Sequence, residues 1–110
     1  MSDQEIEELR SRVELCKALG NPVRLAILEM LADAPKCVAE IVSMLGNEFP
    51  VVSQHLSVLR QYGVIKNERN GRQVYYELAD TGIVDLCTML KTVQAKISRP
   101  QNKKRRNVTP

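Results

Sequence analysis

The feature that most limits how this chain can fold is a change in the period of its apolar residues around Gly63. Before that point Val38, Ile41, Val42 and Leu45, and then Val52, Leu56 and Leu59, recur at steps of three and four, the spacing of helical stripes. After it, Val74, Tyr76 and Leu78 alternate with Gln73, Tyr75 and Glu77, the pattern of a strand with one buried and one wet face. Gly46-Asn47-Glu48-Phe49 reads as a tight turn between two helices, with Gly46 suited to a left-handed cap and Pro50 opening the second helix. Arg69-Asn70-Gly71-Arg72 then separates Val64–Glu68 from Gln73–Leu78. Asn-Gly is the preferred two-residue hairpin turn, because both of its central residues take positive φ.

The flanking segments complete the order of elements. Residues 4–19 carry Ile6, Leu9, Val13 and Cys16 on one stripe, behind a capping box of Ser2 and Glu5 and ahead of Gly20. Asn21-Pro22 starts a second helix that should run to about Ala32, where Asp33-Ala34-Pro35 breaks it. The last helix starts near Thr81, carries Ile83, Leu86, Leu90, Val93 and Ile97, and stops before Pro100. Two helices joined by a short turn and followed by a β-ribbon make a mainly α, winged helix-turn-helix fold of order α-α-α-α-β-β-α. With 110 residues, this is one domain over residues 1–98 plus a basic tail, 99–110, expected to lack fixed structure.

Charge has to be read by position. The last twelve residues hold five cations and no acid, so removing them from the whole-chain +3 leaves residues 1–98 at a formal −2. Arg60, Lys66, Arg69 and Arg72 form a second basic cluster opposed by Glu68. No apolar run approaches the roughly 18 residues of a membrane span, and Met-Ser-Asp-Gln-Glu lacks the features of a secretion signal, so no membrane partner and a cytoplasmic location are expected.

The polar face of the fourth helix sits between these cations. Ser53, Gln54, Ser57 and Arg60 are the side chains that would meet base edges in a major groove of double-stranded DNA. Arg69 and Arg72, with Asn70 and Gln73 beside them, suit phosphate or minor-groove contact. His55, the one histidine, is expected to pack or to bond phosphate, since no second His exists to build a familiar metal or catalytic site. The stripes of the first and last helices exceed what one small core needs. Ile6, Leu9, Val13, Ile83, Leu86, Leu90 and Val93 are therefore expected at a homodimer interface that sets two recognition helices about 34 Å apart on an inverted repeat. The basic run 103–106 would add sequence-independent attraction or simply form a solvated end.

These segments together resemble a known family. Leu15-Cys16-Lys17-Ala18-Leu19-Gly20-Asn21-Pro22-Val23-Arg24-Leu25-Ala26-Ile27-Leu28, then Pro50-Val51-Val52-Ser53-Gln54-His55-Leu56-Ser57-Val58-Leu59-Arg60, then Gly71-Arg72-Gln73-Val74-Tyr75-Tyr76-Glu77-Leu78 are similar to the ArsR/SmtB winged-helix repressors, over residues 5 to about 97. The resemblance implies a homodimer held by its first and last helices. It also implies binding to imperfect inverted repeats, and often release when a metal, metalloid or oxidant binds. The chain departs from the pattern at the start of the recognition helix, where Glu48-Phe49-Pro50 stands in place of a Ser-Gln-Pro-type sequence. Phe49, with Pro50 and Val51 next to it, would there either touch a thymine methyl or pack the turn.

The sensing motifs also differ. Cys37-Val38-Ala39-Glu40 keeps one thiol of the Cys-Val-Cys-Asp-type site of arsenic- and cadmium-sensing members, which excludes a local trigonal thiolate site. The last helix has no His and only Asp85 from the zinc-sensing set. Cys37, at a helix N-terminus beside Lys36, is placed to favour a thiolate. Cys16 and Cys87 lie on the two expected interface helices, and an odd count in a signal-less chain argues against a disulfide scaffold. Three readings of these thiols stay open: a thiolate-bound metal or metalloid between protomers, a cysteine pair sensing oxidants or reactive sulfur, or small apolar fillers without a sensing role. The alternatives to an inducible repressor are an effector-blind DNA-organising protein and, less well supported, a thiol enzyme using Cys37, which lacks a free base. No enzymatic role is expected.

Overall fold

The first two helices begin where the sequence supplies a group for their unpaired amides. The computed structural model describes residues 1–97. Helix α1 (Asp3–Leu19) opens on the capping box, Glu5 N–H donating to Ser2 Oγ at 3.1 Å and Ser2 N–H to Glu5 Oε1 at 3.0 Å. Helix α2 (Pro22–Met30) opens on Asn21, whose Oδ1 accepts from the Val23 and Arg24 amides at 2.9 and 3.2 Å. It stops short of the expected Ala32, because Leu31 already closes it in a turn. Helix α3 (Val38–Leu45) follows a two-residue strand β1 (Lys36–Cys37) and ends on Gly46 at φ 73°, as its missing Cβ allows.

Helix α4 (Phe49–Gln61) starts one residue before the expected Pro50, with Glu48 at the N-cap and Pro50 inside the first turn, where its missing N–H costs nothing. Strands β2 (Ile65–Asn70) and β3 (Gln73–Leu78) form the hairpin, and α5 (Gly82–Ile97) closes the described chain. The hairpin turn differs from the expected one. Asn70 pairs with Gln73 inside the ladder, so the central residues are Gly71 and Arg72, and only Gly71 has positive φ, at 67°. Glycine alone at the first central position is the pattern of a type II′ turn, which spares Asn70 the left-handed strain that a type I′ turn would impose.

Strand β1 was not foreseen. It pairs antiparallel with β3, Lys36 opposite Tyr76 and Cys37 opposite Tyr75, giving a sheet of order β1-β3-β2. This makes β3 the central strand and explains why Tyr75 and Glu77, expected on a wet face, are half-buried.

The core forms where α2, α3 and α4 meet. Ile27, Leu28, Ile41, Val52, Leu56 and Leu59 are all less than 2% exposed, and Ala18, Leu31, Val64, Ile65, Ile83 and Cys87 extend the cluster. Full burial of one such aliphatic side chain contributes about 1.5–3 kcal/mol, whereas an isolated helix as short as α4 is marginal in water. Packing therefore holds α4 in place. Leu56→Ala should cost about 2–5 kcal/mol in urea unfolding; a loss below 1 kcal/mol would contradict this placement.

A second prediction concerns acid. The Cys37 N–H donates to Glu40 Oε1 at 3.0 Å, and these contacts with Cys37 hold the Glu40 carboxyl below its ordinary value. A carboxyl depressed in the folded state adds stability above its unfolded pKa and loses it as pH falls through the folded one. Melting temperature should thus decline as pH drops below 4.5, the ordinary value for Glu40, and less steeply in Glu40→Gln.

Candidate nucleic-acid interface

Burying one stripe of α4 turns the rest of the helix outward. With Val52, Leu56 and Leu59 in the core, Ser53, Gln54, Ser57, Arg60 and Gln61 are exposed, as are Pro50 and Val51 at its start. Phe49, the first helical residue, is 58% exposed, so the turn does not pack it away. Glu48 makes no side-chain bond to the helix it precedes, which leaves the amide end of α4 open. The exposed face thus combines hydrogen-bonding groups and an apolar tip on a helix of about groove width.

The hairpin adds cations. Arg69, Asn70, Arg72 and Gln73 are all exposed, and the ion pairs among the described residues do not involve Arg60, Arg69 or Arg72. Lys66 behaves differently: its Nζ lies 3.4 Å from Glu77 Oε1 on the neighbouring strand. Glu77 was missed in the sequence because cross-strand partners depend on register. Glu68, Arg69 and Glu77 are among the residues that line an open groove beside the hairpin, and Arg72 stands at the turn itself.

A residue overlooked in the sequence links this face to α1. Arg24, in the first turn of α2, donates from Nη2 to the Lys17 carbonyl and from Nε to the Ala18 carbonyl, both at 2.8 Å. Its Nη1 lies 3.4 Å from His55 Nδ1 on α4. The reason lies in the α1–α2 junction. Gly20 closes α1 at φ −82°, not in the left-handed conformation, because Asn21 must at once cap α2. The last carbonyls of α1 therefore take donors from Arg24, a cation at the negative end of a helix.

The apolar stripes of α1 and α5 stay uncovered. Ala18 alone is buried on α1, while Ile6, Leu9 and Val13 are exposed, Val13 to 50%. Leu86, Leu90 and Val93 on α5 are exposed as well, Leu90 to 44%. Leu15, Cys16, Leu19, Leu25, Leu86 and Leu90 line an apolar concavity of about 520 Å³ between α1, α2 and α5. Ile83, expected with the interface residues, is 8% exposed and belongs to the protomer's own core.

The three thiols have different surroundings. Cys16 is exposed on α1. Cys87 is 5% exposed, and burial, helped by Glu29, pushes its thiol above the ordinary range. Cys37 is 6% exposed, and Lys36, expected to support its thiolate, instead places its ammonium 3.1 Å from Asp33 Oδ1. Among the described residues no three His, Cys, Asp or Glu side chains gather in a group able to hold a metal ion, so a thiolate-bound metal or metalloid does not fit within one protomer. Among the same residues no helix is long and apolar enough to cross a membrane. The tail 99–110, with its basic run, lies outside the described residues.

The elements define a winged helix-turn-helix protein, with α3 and α4 as the two helices and β2–β3 as the wing. Comparison with known proteins agrees: the profile of the bacterial regulatory protein, arsR family, matches residues 21–67. The SmtB transcriptional repressor of Mycobacterium tuberculosis is 47% identical over 74 residues, 67% of this chain, and the match spans about half, 55%, of that relative. The biofilm growth-associated repressor of Xylella fastidiosa is 32% identical over 84% of this chain and 82% of its own length. Among solved structures, a homodimeric winged helix-turn-helix DNA-binding domain from Mycobacterium bovis superposes with a TM-score of 0.80 at 28% identity, covering 88% of this chain and 90% of that one. The repressor BigR of Xylella fastidiosa superposes with a TM-score of 0.72 at 32% identity, over 84% and 96% of the two chains. The chain belongs to the ArsR family of regulatory proteins.

Proposed function

We propose that the chain is a DNA-binding transcriptional repressor that acts as a homodimer on an inverted-repeat operator. The observation that carries this reading is the outward face of α4: Ser53, Gln54, Ser57 and Arg60 are free of the core, and the hairpin that follows α4 exposes Arg69 and Arg72. In this reading α4 enters the major groove, with Phe49, Pro50 and Val51 leading and His55 on its flank. The wing residues Arg69, Asn70, Arg72 and Gln73 lie along the backbone or minor groove. Ile6, Leu9 and Val13 of α1 pack with Leu86, Leu90 and Val93 of α5 across a twofold axis, closing the concavity described above. Two α4 helices one duplex turn apart then read two half-sites, and an operator overlapping a promoter is blocked to polymerase. No bond is made or broken. The repressor names of the mycobacterial and Xylella relatives and the homodimeric description of the Mycobacterium bovis domain support this assignment.

Operators selected from a random DNA pool should bind with steep salt dependence. Arg72→Ala and Arg69→Ala should each flatten the slope of log affinity against log salt by about 1. An unchanged slope in both variants would remove the wing from the interface. Leu90→Asp should halve the sedimenting mass and abolish operator binding; a wild-type chain that sediments as a single subunit at micromolar concentration would contradict the pairing. Equal affinity for selected and random DNA would favour the DNA-organising alternative.

The exposure of Cys16, at the concavity that pairing closes, makes it the thiol through which a metalloid or oxidant would act, between protomers. Cys16→Ser should remove release of DNA by arsenite or polysulfide, whereas Cys87→Ser should not; identical release from both variants would exclude Cys16.

A further inference from the structure

The Arg24 contacts have a consequence for how α4 holds DNA, resting on the assignment of α4 as the reading helix. An arginine guanidinium carries only donors, so the nitrogen of His55 that faces Arg24 Nη1 at 3.4 Å, Nδ1, must accept. The ring proton then sits on Nε2, at the opposite edge of the imidazole. Among the described residues Nε2 has no hydrogen-bond partner, and no fully buried side-chain nitrogen or oxygen is left unpaired, so Nε2 is not sealed from solvent. His55 thus presents one N–H donor from the flank of α4, at the border of the inward stripe of Val52 and Leu59.

We infer that Arg24 is a positioning residue for DNA binding: it fixes the His55 ring so that Nε2–H meets a phosphate oxygen of the duplex, and it fastens that donor to the end of α1. The other two guanidinium contacts are what make the hold rigid. Nε and Nη2 are bound at 2.8 Å to the Ala18 and Lys17 carbonyls, and Ala18 is fully buried, so swinging the fork away would take this donor from the Ala18 carbonyl and leave the Lys17 carbonyl with the Gly20 N–H alone. His55 has its own anchor, since its neighbour Leu56 is 1% exposed. A single planar side chain therefore joins the helix expected to meet the second protomer to the helix expected to meet DNA. A shift of the α1 end relative to α4 would reach the His55 ring through this contact.

The test is a double-mutant cycle on operator affinity, in full-length chains shown by melting and sedimentation to be folded and paired. Losing one phosphate hydrogen bond, His55→Ala should weaken binding by about tenfold. Arg24→Gln should weaken it by a similar factor, and the double variant should be no more than roughly twofold worse than either alone. Should Arg24→Gln fail to fold, Arg24→Lys, which keeps the charge without the fork, takes its place in the cycle. Nitrogen-15 spectra of the His55 ring give the readout that a merely structural arginine would not move. Nδ1 should appear as the acceptor in the wild type, and that fixed tautomer signature should be lost in the Arg24 variant. Fully additive losses, or a His55 ring unchanged by the Arg24 substitution, would overturn the inference. A wild-type chain that binds no duplex at all would instead overturn the assignment of α4 on which it stands.

Discussion

The arrangement rests on the burial of three side chains, Val52, Leu56 and Leu59, against Ile27, Leu28 and Ile41. These contacts hold α4, and because a helix has only one inward side, they also decide which residues face the solvent. The hairpin follows from the same packing: Gly63 turns the chain at the end of α4, Val64 and Ile65 return to the core, and β2 leaves the body from that point. The exposed face of α4 and the arginines of the wing are thereby carried on successive elements held by apolar contacts to which they contribute nothing. Side chains on that outer face can change without disturbing the fold, which separates what is read from what holds the reader.

A second constraint comes from the helices at either end. A helix of 17 residues with one buried residue gains little from the body it is attached to, and α5 likewise points Leu86, Leu90 and Val93 outward while Ile83 and Cys87 face inward. Pairing through these surfaces would give α1 the burial it lacks. The Arg24 guanidinium closes the junction between this outer layer and the core, taking the carbonyls that a left-handed glycine cap would otherwise have turned toward other donors. The ion pair of Lys91 with Glu29, at 3.4 Å, ties α5 to α2 on the other side.

Much of this was legible in the residues because it depends on local rules. The capping box at Ser2, the Asn21-Pro22 start, the span Val38–Leu45 with Gly46 after it, and the inward stripe of α4 all follow from side chains within a few positions of one another. What escaped depends on contacts between distant segments. Strand β1 is two residues long and exists only because β3 lies beside it, so no periodicity could reveal it. The shift of the hairpin turn by one residue was set by the register of the whole ladder, which keeps Asn70 extended and gives the positive φ to Gly71. Arg24 received no role from the sequence, because its partners lie at Lys17, Ala18 and His55, on two other helices. Cys37 looked activated from its neighbours in sequence, whereas in space Lys36 is engaged by Asp33.

The outward side of α4 and the tip of the wing are the surfaces proposed to meet DNA. Backbone amide shifts recorded while an operator duplex is titrated into the labelled chain test this residue by residue. Perturbations should concentrate in residues 49–61 and 69–73, with the exposed stripes of α1 and α5 silent once pairing is complete. Perturbations confined to those stripes, with the amides of α4 unmoved at saturating duplex, would contradict it.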